Sequence, residues 1–132
     1  MNLIQTHVTE ILILFFLIVT FIQSGIDKVT DWNGNVSFIK EHFKNSPFKN
    51  SVPLLLVIIL VMELLAGALM FVGIFNLATT GAKDLALIGV ELAALSLIFL
   101  LIGQRLAKDY AGAMTLAVYF IIAIFGVYIL NS

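Results

Sequence analysis

The sequence predicts an all-α membrane protein: an antiparallel bundle of four transmembrane helices, with a short amphipathic surface helix between helices 1 and 2. Two observations carry that prediction. The 132 residues are 61% hydrophobic and only 11% charged, with a mean hydropathy of +1.12. Soluble domains run nearer roughly 45–50% apolar and about 25% charged, so lipid must be the solvent for much of this surface. Second, four apolar stretches approach or reach the roughly 20 residues that cross a hydrocarbon core of about 30 Å. In lipid each backbone polar group must be paired within its own segment, so each stretch should be a helix. The length suits one domain, 1–132.

The first span runs from about Val8 to Ile26 and the second from Val52 to Phe75. The third runs from Leu85 to Ile102 and the fourth from Ala111 to Leu130. The opening residues carry no Lys or Arg, and no small-x-small site follows the apolar run, so the first span reads as a retained helix rather than a signal peptide. The connections 76–84 and 103–110 are short, which makes neighbouring helices antiparallel. The 27–51 connection is longer. There Asn35 offers a cap, and Phe38, Ile39, His42 and Phe43 make an apolar edge beside Lys40, Glu41 and Lys44. That pattern predicts a short helix lying on the membrane surface, ended near Asn45–Pro47, with Trp32 just before it as an interface anchor.

With four spans both termini share a side with the 76–84 connection, which holds only Lys83. The other side holds Lys28, Lys40, Lys44, Lys49, Arg105 and Lys108. The positive-inside rule therefore places the 27–51 and 103–110 connections in the cytoplasm and both termini outside, in a multi-pass protein of the cell (inner) membrane.

Composition also excludes several chemistries. The net charge is −1, which leaves no nucleic-acid footprint. The chain has no cysteine, which removes disulfides, thiol catalysis and cysteine-ligated clusters. His7 and His42 both lie outside the mid-membrane region, so neither a metal site nor bis-histidine haem is expected, and no catalytic residue is assigned.

Ionisable groups inside a membrane cost at least a few kcal/mol each, so each one needs a reason. Glu63 sits near the centre of the second span, with the small residues Ala66 and Gly67 at i+3 and i+4. It reads either as a carboxyl that carries a proton or orients a ligand, or as a protonated group that hydrogen-bonds a neighbouring helix. Glu91 lies near the middle of the third span, on a different side from Gly89, Ala93 and Ser96. Either Glu91 or that small-residue seam faces the bundle, but not both. Thr20, Gln23, Ser24 and Asp27 recur on one face at the end of the first span, a stripe that should look inward. Gln104, Arg105 and Asp109 lie on the same side of the membrane, with Asp109 at the positive end of the fourth helix. Asp27, Lys28, Arg105 and Asp109 thus suggest a charge-compensated cluster under the membrane surface, or equally a set of snorkelling anchors. Tyr119, deep in the fourth span, needs a partner for its hydroxyl, most simply a packing hydrogen bond.

The run SGIDKVTDWNGNVSFIKEHF, then Pro47, then MELLAGALMFVGIF, then GQRLAKDYAGAMTLAVYF resembles the DoxX family of small four-helix membrane proteins over almost the whole chain. The most telling elements are Gly25-x-x-Lys28, Glu63-Leu64-x-x-Gly67 and Asp109-x-Ala-Gly112. The resemblance implies the four-helix fold. Members of that family are named as a subunit of a thiosulfate:quinone oxidoreductase, as partners in a membrane oxidoreductase complex, and as relatives of a receptor-assembly chaperone. Cysteine-bearing members have no counterpart here, so no thiol chemistry carries over.

Three functions follow as expectations. In the first, the chain is a membrane subunit of a quinone-linked redox system that binds a quinone or lipid-like ligand in the bundle. Glu63, with Asp109 or Asp27, would exchange protons there, and Arg105 or Lys28 would hold negative charge. No redox centre is intrinsic to the sequence, so electrons come from a partner, and whether the chain is itself an enzyme stays open. In the second, it is a non-catalytic assembly protein whose small-residue seams bind another membrane or peripheral protein, or a second copy as a homodimer. In the third, it is a small proton-coupled transporter, against which stands the lack of a mid-span acid in the first helix or of an inverted repeat.

Overall fold

The structure, a computed structural model, describes residues 3–45, 50–106 and 108–131. It is built of helices, with no strand among the described residues. A four-residue turn, α1 (Leu3–Thr6), leads into α2 (Val8–Thr30). Then follow the short α3 (Trp32–His42) and three long helices, α4 (Val52–Thr79), α5 (Asp84–Leu106) and α6 (Tyr110–Leu130). The four long helices are each long and apolar enough to cross a membrane, and together they form the multi-pass bundle that the composition demands. They outrun the apolar stretches by up to about a turn, because Asp27, Lys28 and Arg105 continue the helical hydrogen bonding where hydropathy falls.

The helices form a ring in the order α2, α4, α5, α6, with α4–α5 and α5–α6 packed most extensively and α2–α6 much more sparsely. Without a hydrophobic drive between helices in lipid, close packing depends on small residues that let backbones approach. The closest approaches between helices are made by the buried glycines Gly25, Gly67, Gly73 and Gly89. A Cβ on Gly73 would lie 2.5 Å from Ala86 Cα, and one on Gly89 would lie 2.8 Å from the Met70 backbone nitrogen, so α4 and α5 touch nearly backbone to backbone. Gly25 faces Leu64, and Gly67 faces Ile22, which brings α2 close against α4. The core between them is Leu14, Leu17, Phe21, Met70, Leu77, Val90 and Leu97, while Phe15, Phe71, Ile121 and Tyr128 are exposed on the outside, where lipid is their natural neighbour.

The turns are tight and built for it. Gly81 ends α4 in the left-handed conformation (φ 76°), and its N–H bonds to Asn76 O at 2.9 Å. Lys108 takes the same left-handed conformation (φ 63°) between α5 and α6, although it has a Cβ.

Two expectations about the 27–51 connection need correction. The short helix starts at Trp32, so Asn35 lies within it rather than capping it. The Asn35 amide instead donates to Asp31 O (2.8 Å) and Asp27 O (3.2 Å), which ties α3 to the end of α2. The helix also packs on α2 and α4. Phe38, expected on its apolar edge with Ile39, points outward and is exposed. The expected stop at Pro47 and the His42 side chain lie outside the described residues.

Candidate functional site

Glu63 is about 16 Å along α4 from its first residue, well inside the span. Its side chain is 1% exposed. The group opposite it is Lys28, near the end of α2. Side chains on a helix lean toward its N-terminus, so Lys28 reaches back into the bundle rather than out toward water. Its Nζ donates to Ser24 Oγ, one turn earlier, at 2.7 Å. The same Nζ lies 2.9 Å from Glu63 Oε1. That contact is an ion pair by distance but lacks hydrogen-bond alignment, so neither Glu63 oxygen has a hydrogen-bond partner among the described residues. A buried polar atom normally has one, and leaving it without costs about 1–3 kcal/mol, more for a charge.

The Glu63 carboxylate, paired with Lys28 but without an aligned hydrogen bond, lines a cavity of about 350 Å³ between α2 and α6, where the ring is loosest. Thr20, Gln23, Ser24 and Asp27 all line it, as do Tyr119 and Leu116 of α6 and Leu97 and Leu100 of α5. Val19, Gln23 and Asp27 are exposed, so the opening is lateral, between α2 and α6. The Tyr119 ring leans on Phe16, with centroids 6.3 Å apart and planes at 52°. The wall offers acceptors (Glu63, Asp27) and donors (the Gln23 amide, the Tyr119 hydroxyl). The lining is mixed, with Thr20, Gln23, Ser24, Asp27, Glu63 and Tyr119 beside five apolar side chains, and its volume is within the range of small-molecule sites.

The structure separates the remaining candidates. Asp109 caps α6, its Oδ1 accepting from Gly112 N at 3.0 Å, in keeping with its place at the positive helix end. Arg105 lies over the Tyr110 ring, 5.0 Å from its centroid. Lys28 is paired instead with Glu63, so the cluster expected of Asp27, Lys28, Arg105 and Asp109 gives up its lysine to the bundle interior. Glu91 is exposed on the outside of α5, and the alternative left open for that helix resolves the other way: Gly89, Ala93 and Ser96 are buried. Glu91 is therefore not near Glu63's cavity.

Sequence reasoning missed the Lys28–Glu63 pair. The usable signal was the small residues Ser24 and Gly25 beside Lys28 and Gly67 beside Glu63, which mark two faces able to approach closely. His/Cys/Asp/Glu clusters fit to hold a metal ion are absent among the described residues. Comparison with protein-family models, with curated proteins and with solved structures found no match.

Proposed function

We propose that the chain is a membrane subunit of a quinone-linked oxidoreductase system, holding a quinone or similar lipid-like molecule by its polar head in the cavity between α2 and α6. The observation that carries this reading is Glu63: a carboxylate 1% exposed, deep in a membrane span, lining that cavity and paired with Lys28 but without an aligned hydrogen bond to either oxygen. The resemblance to the DoxX family supports the same reading. A quinone supplies two-electron, two-proton chemistry. The chain's residues would supply the rest: Glu63 would exchange protons with the head, Tyr119 and Gln23 would orient it, and Asp27 at the mouth would pass protons between the cavity and water. Lys28 compensates the carboxylate charge, and electrons come from a partner protein that carries the redox centre.

The lateral opening supports a ligand that arrives from the bilayer. The basic side chains near the α2–α3 and α5–α6 connections support placing those connections in the cytoplasm of an inner-membrane protein, with both termini outside. Because the native sequence has no cysteine, single cysteines can be introduced for labelling from either side without removing any.

The assembly reading keeps one observation in its favour. Of its proposed seams, Gly67 with Gly73, Gly89 with Ala93 and Ser96, and Ala113 are used inside the bundle, but Ala117 is exposed, and Glu91 faces outward in a span and would gain from a polar group on a partner protein or a second copy. Mass spectrometry of wild type and Glu63→Gln purified gently from native membranes separates the two readings. A quinone or lipid retained by wild type and lost from Glu63→Gln supports the ligand site. A stoichiometric protein held by both, with no specific small molecule, favours assembly.

A further inference from the structure

The polar groups that line the cavity beside Glu63 differ in what they ask of a ligand. Thr20 Oγ1 donates its proton to Phe16 O at 2.9 Å, so toward the cavity it only accepts. Ser24 Oγ accepts from Lys28 Nζ at 2.7 Å and keeps its own proton to donate. Gln23 and Asp27 are exposed at the mouth. Glu63 is the one polar group of the lining that is buried. Lys28, 2.9 Å from Glu63 Oε1, is not among the lining residues. A ligand in the cavity therefore meets the carboxylate and not its counter-ion.

A carboxylate paired with an ammonium accepts hydrogen bonds at both oxygens and donates none. Neither Glu63 oxygen has an aligned donor among the described residues. The deepest polar demand in the cavity is thus for a donor. The two states of a quinone head answer it differently. The oxidised head carries carbonyl oxygens, which only accept, and one of these beside Glu63 sets lone pairs against lone pairs. The reduced head has nearly the same shape but carries hydroxyls, each of which donates one bond and accepts another. A hydroxyl that donates to Glu63 can accept in turn from Tyr119 or Ser24, which line the same space.

We infer that the site prefers the reduced, hydroquinone head over the oxidised one, with Glu63 as the acceptor of its hydroxyl. The inference rests on the proposed function and sets the direction in which the site biases it. Discrimination arises because the oxidised head leaves a buried acceptor unpaired. Two electrons and two protons separate the two heads, so a tenfold tighter hold on the reduced one raises the potential of the bound couple by about 30 mV. The cavity then favours transfer of electrons from the partner protein to the quinone.

The test is equilibrium dialysis of the full chain in detergent micelles against a decyl-substituted benzoquinone and, under argon with excess reductant, its hydroquinone. Empty micelles run alongside correct for partitioning. Wild type is expected to bind the hydroquinone about tenfold more tightly than the quinone. In Glu63→Gln, whose amide can donate to a carbonyl, the two forms are expected to bind alike. Tyr119→Phe removes a donor that serves both forms, and is expected to weaken both and keep the ratio. Equal affinity of wild type for the two forms overturns the inference and leaves the quinone site standing. A preference that survives Glu63→Gln, or is lost in Tyr119→Phe, also overturns it. Binding of neither form overturns the proposed function, and the inference with it. The wild-type ratio is decisive by itself, so the outcome does not depend on whether Glu63→Gln folds.

Discussion

Lys28 turns back along its own helix to meet Glu63, setting Nζ 2.9 Å from Oε1 in a pair whose side chains are 15% and 1% exposed. A lysine so near the end of a span could reach water; this one gives up that hydration for a carboxylate in the bundle. Breaking such a pair from one side strands a charge, whereas replacing both partners with apolar groups is often neutral. Glu63→Leu and Lys28→Met are each expected to destabilise the bundle by about 3 kcal/mol, and the double variant to recover most of that loss. Unfolding in mixed micelles, read as a double-mutant cycle, checks it. Additive losses would mean that the two side chains act independently.

Filling the mouth of the cavity beside Glu63 should block the ligand and spare the fold. Val19→Trp places an indole at the α2–α6 opening, where Val19 is half exposed. Ligand retained through purification is expected to fall about tenfold, the equivalent of about 1.4 kcal/mol, while the melting temperature without ligand changes little. Unchanged retention would place the ligand elsewhere.

Glu91 is the opposite case from Glu63. It is exposed about 10 Å along α5 from its start, within the span. Glu91→Leu should stabilise the isolated bundle in a bilayer by about 2 kcal/mol and leave ligand retention unchanged. Measured loss of stability, or a change of oligomeric state, would show that the carboxyl meets another chain.

Two glycines should respond in opposite directions to alanine. At Gly73 the added methyl meets the Ala86 backbone, which cannot step aside, and Gly73→Ala is expected to cost about 1–3 kcal/mol. At Gly34, within exposed α3, it meets only the Asp31 carboxylate, which can rotate away, and Gly34→Ala should add about 0.5–1 kcal/mol. Chemical denaturation of both variants tests the contrast.

Lys108 holds a left-handed backbone that suits glycine (φ 63°). Lys108→Gly is expected to stabilise the α5–α6 turn by about 0.5–1 kcal/mol, after the greater freedom of glycine in the unfolded chain is discounted. A lower melting temperature would show that the lysine side chain matters more than its backbone strain.

The spans were legible because length and apolarity in a row are properties of neighbouring residues. The α3 helix was legible for the same reason, but its start was not. Asn35 has the composition of a cap, and only the position of the α2 carbonyls shows that its amide is used to tie two helices instead. The inward stripe Thr20, Gln23, Ser24 and Asp27 could be read because helical periodicity is local. Lys28 with Glu63 was missed, since the small residues beside each mark two faces able to approach but the default for a terminal lysine is to reach outward. For Glu91 the sequence offered two faces and no way to choose; the close approach of Gly89 to Met70 makes the choice.

The sparse contact between α2 and α6 has a consequence for how the chain would be saturated. A molecule entering there comes from the bilayer plane, so the quantity that governs occupancy is its mole fraction among lipids, not its concentration in water. Dilution with buffer would leave occupancy almost unchanged, and dilution with added lipid would empty the site. Growth conditions that alter the pool of lipophilic molecules in the membrane would then act on this protein directly, with no change in its abundance.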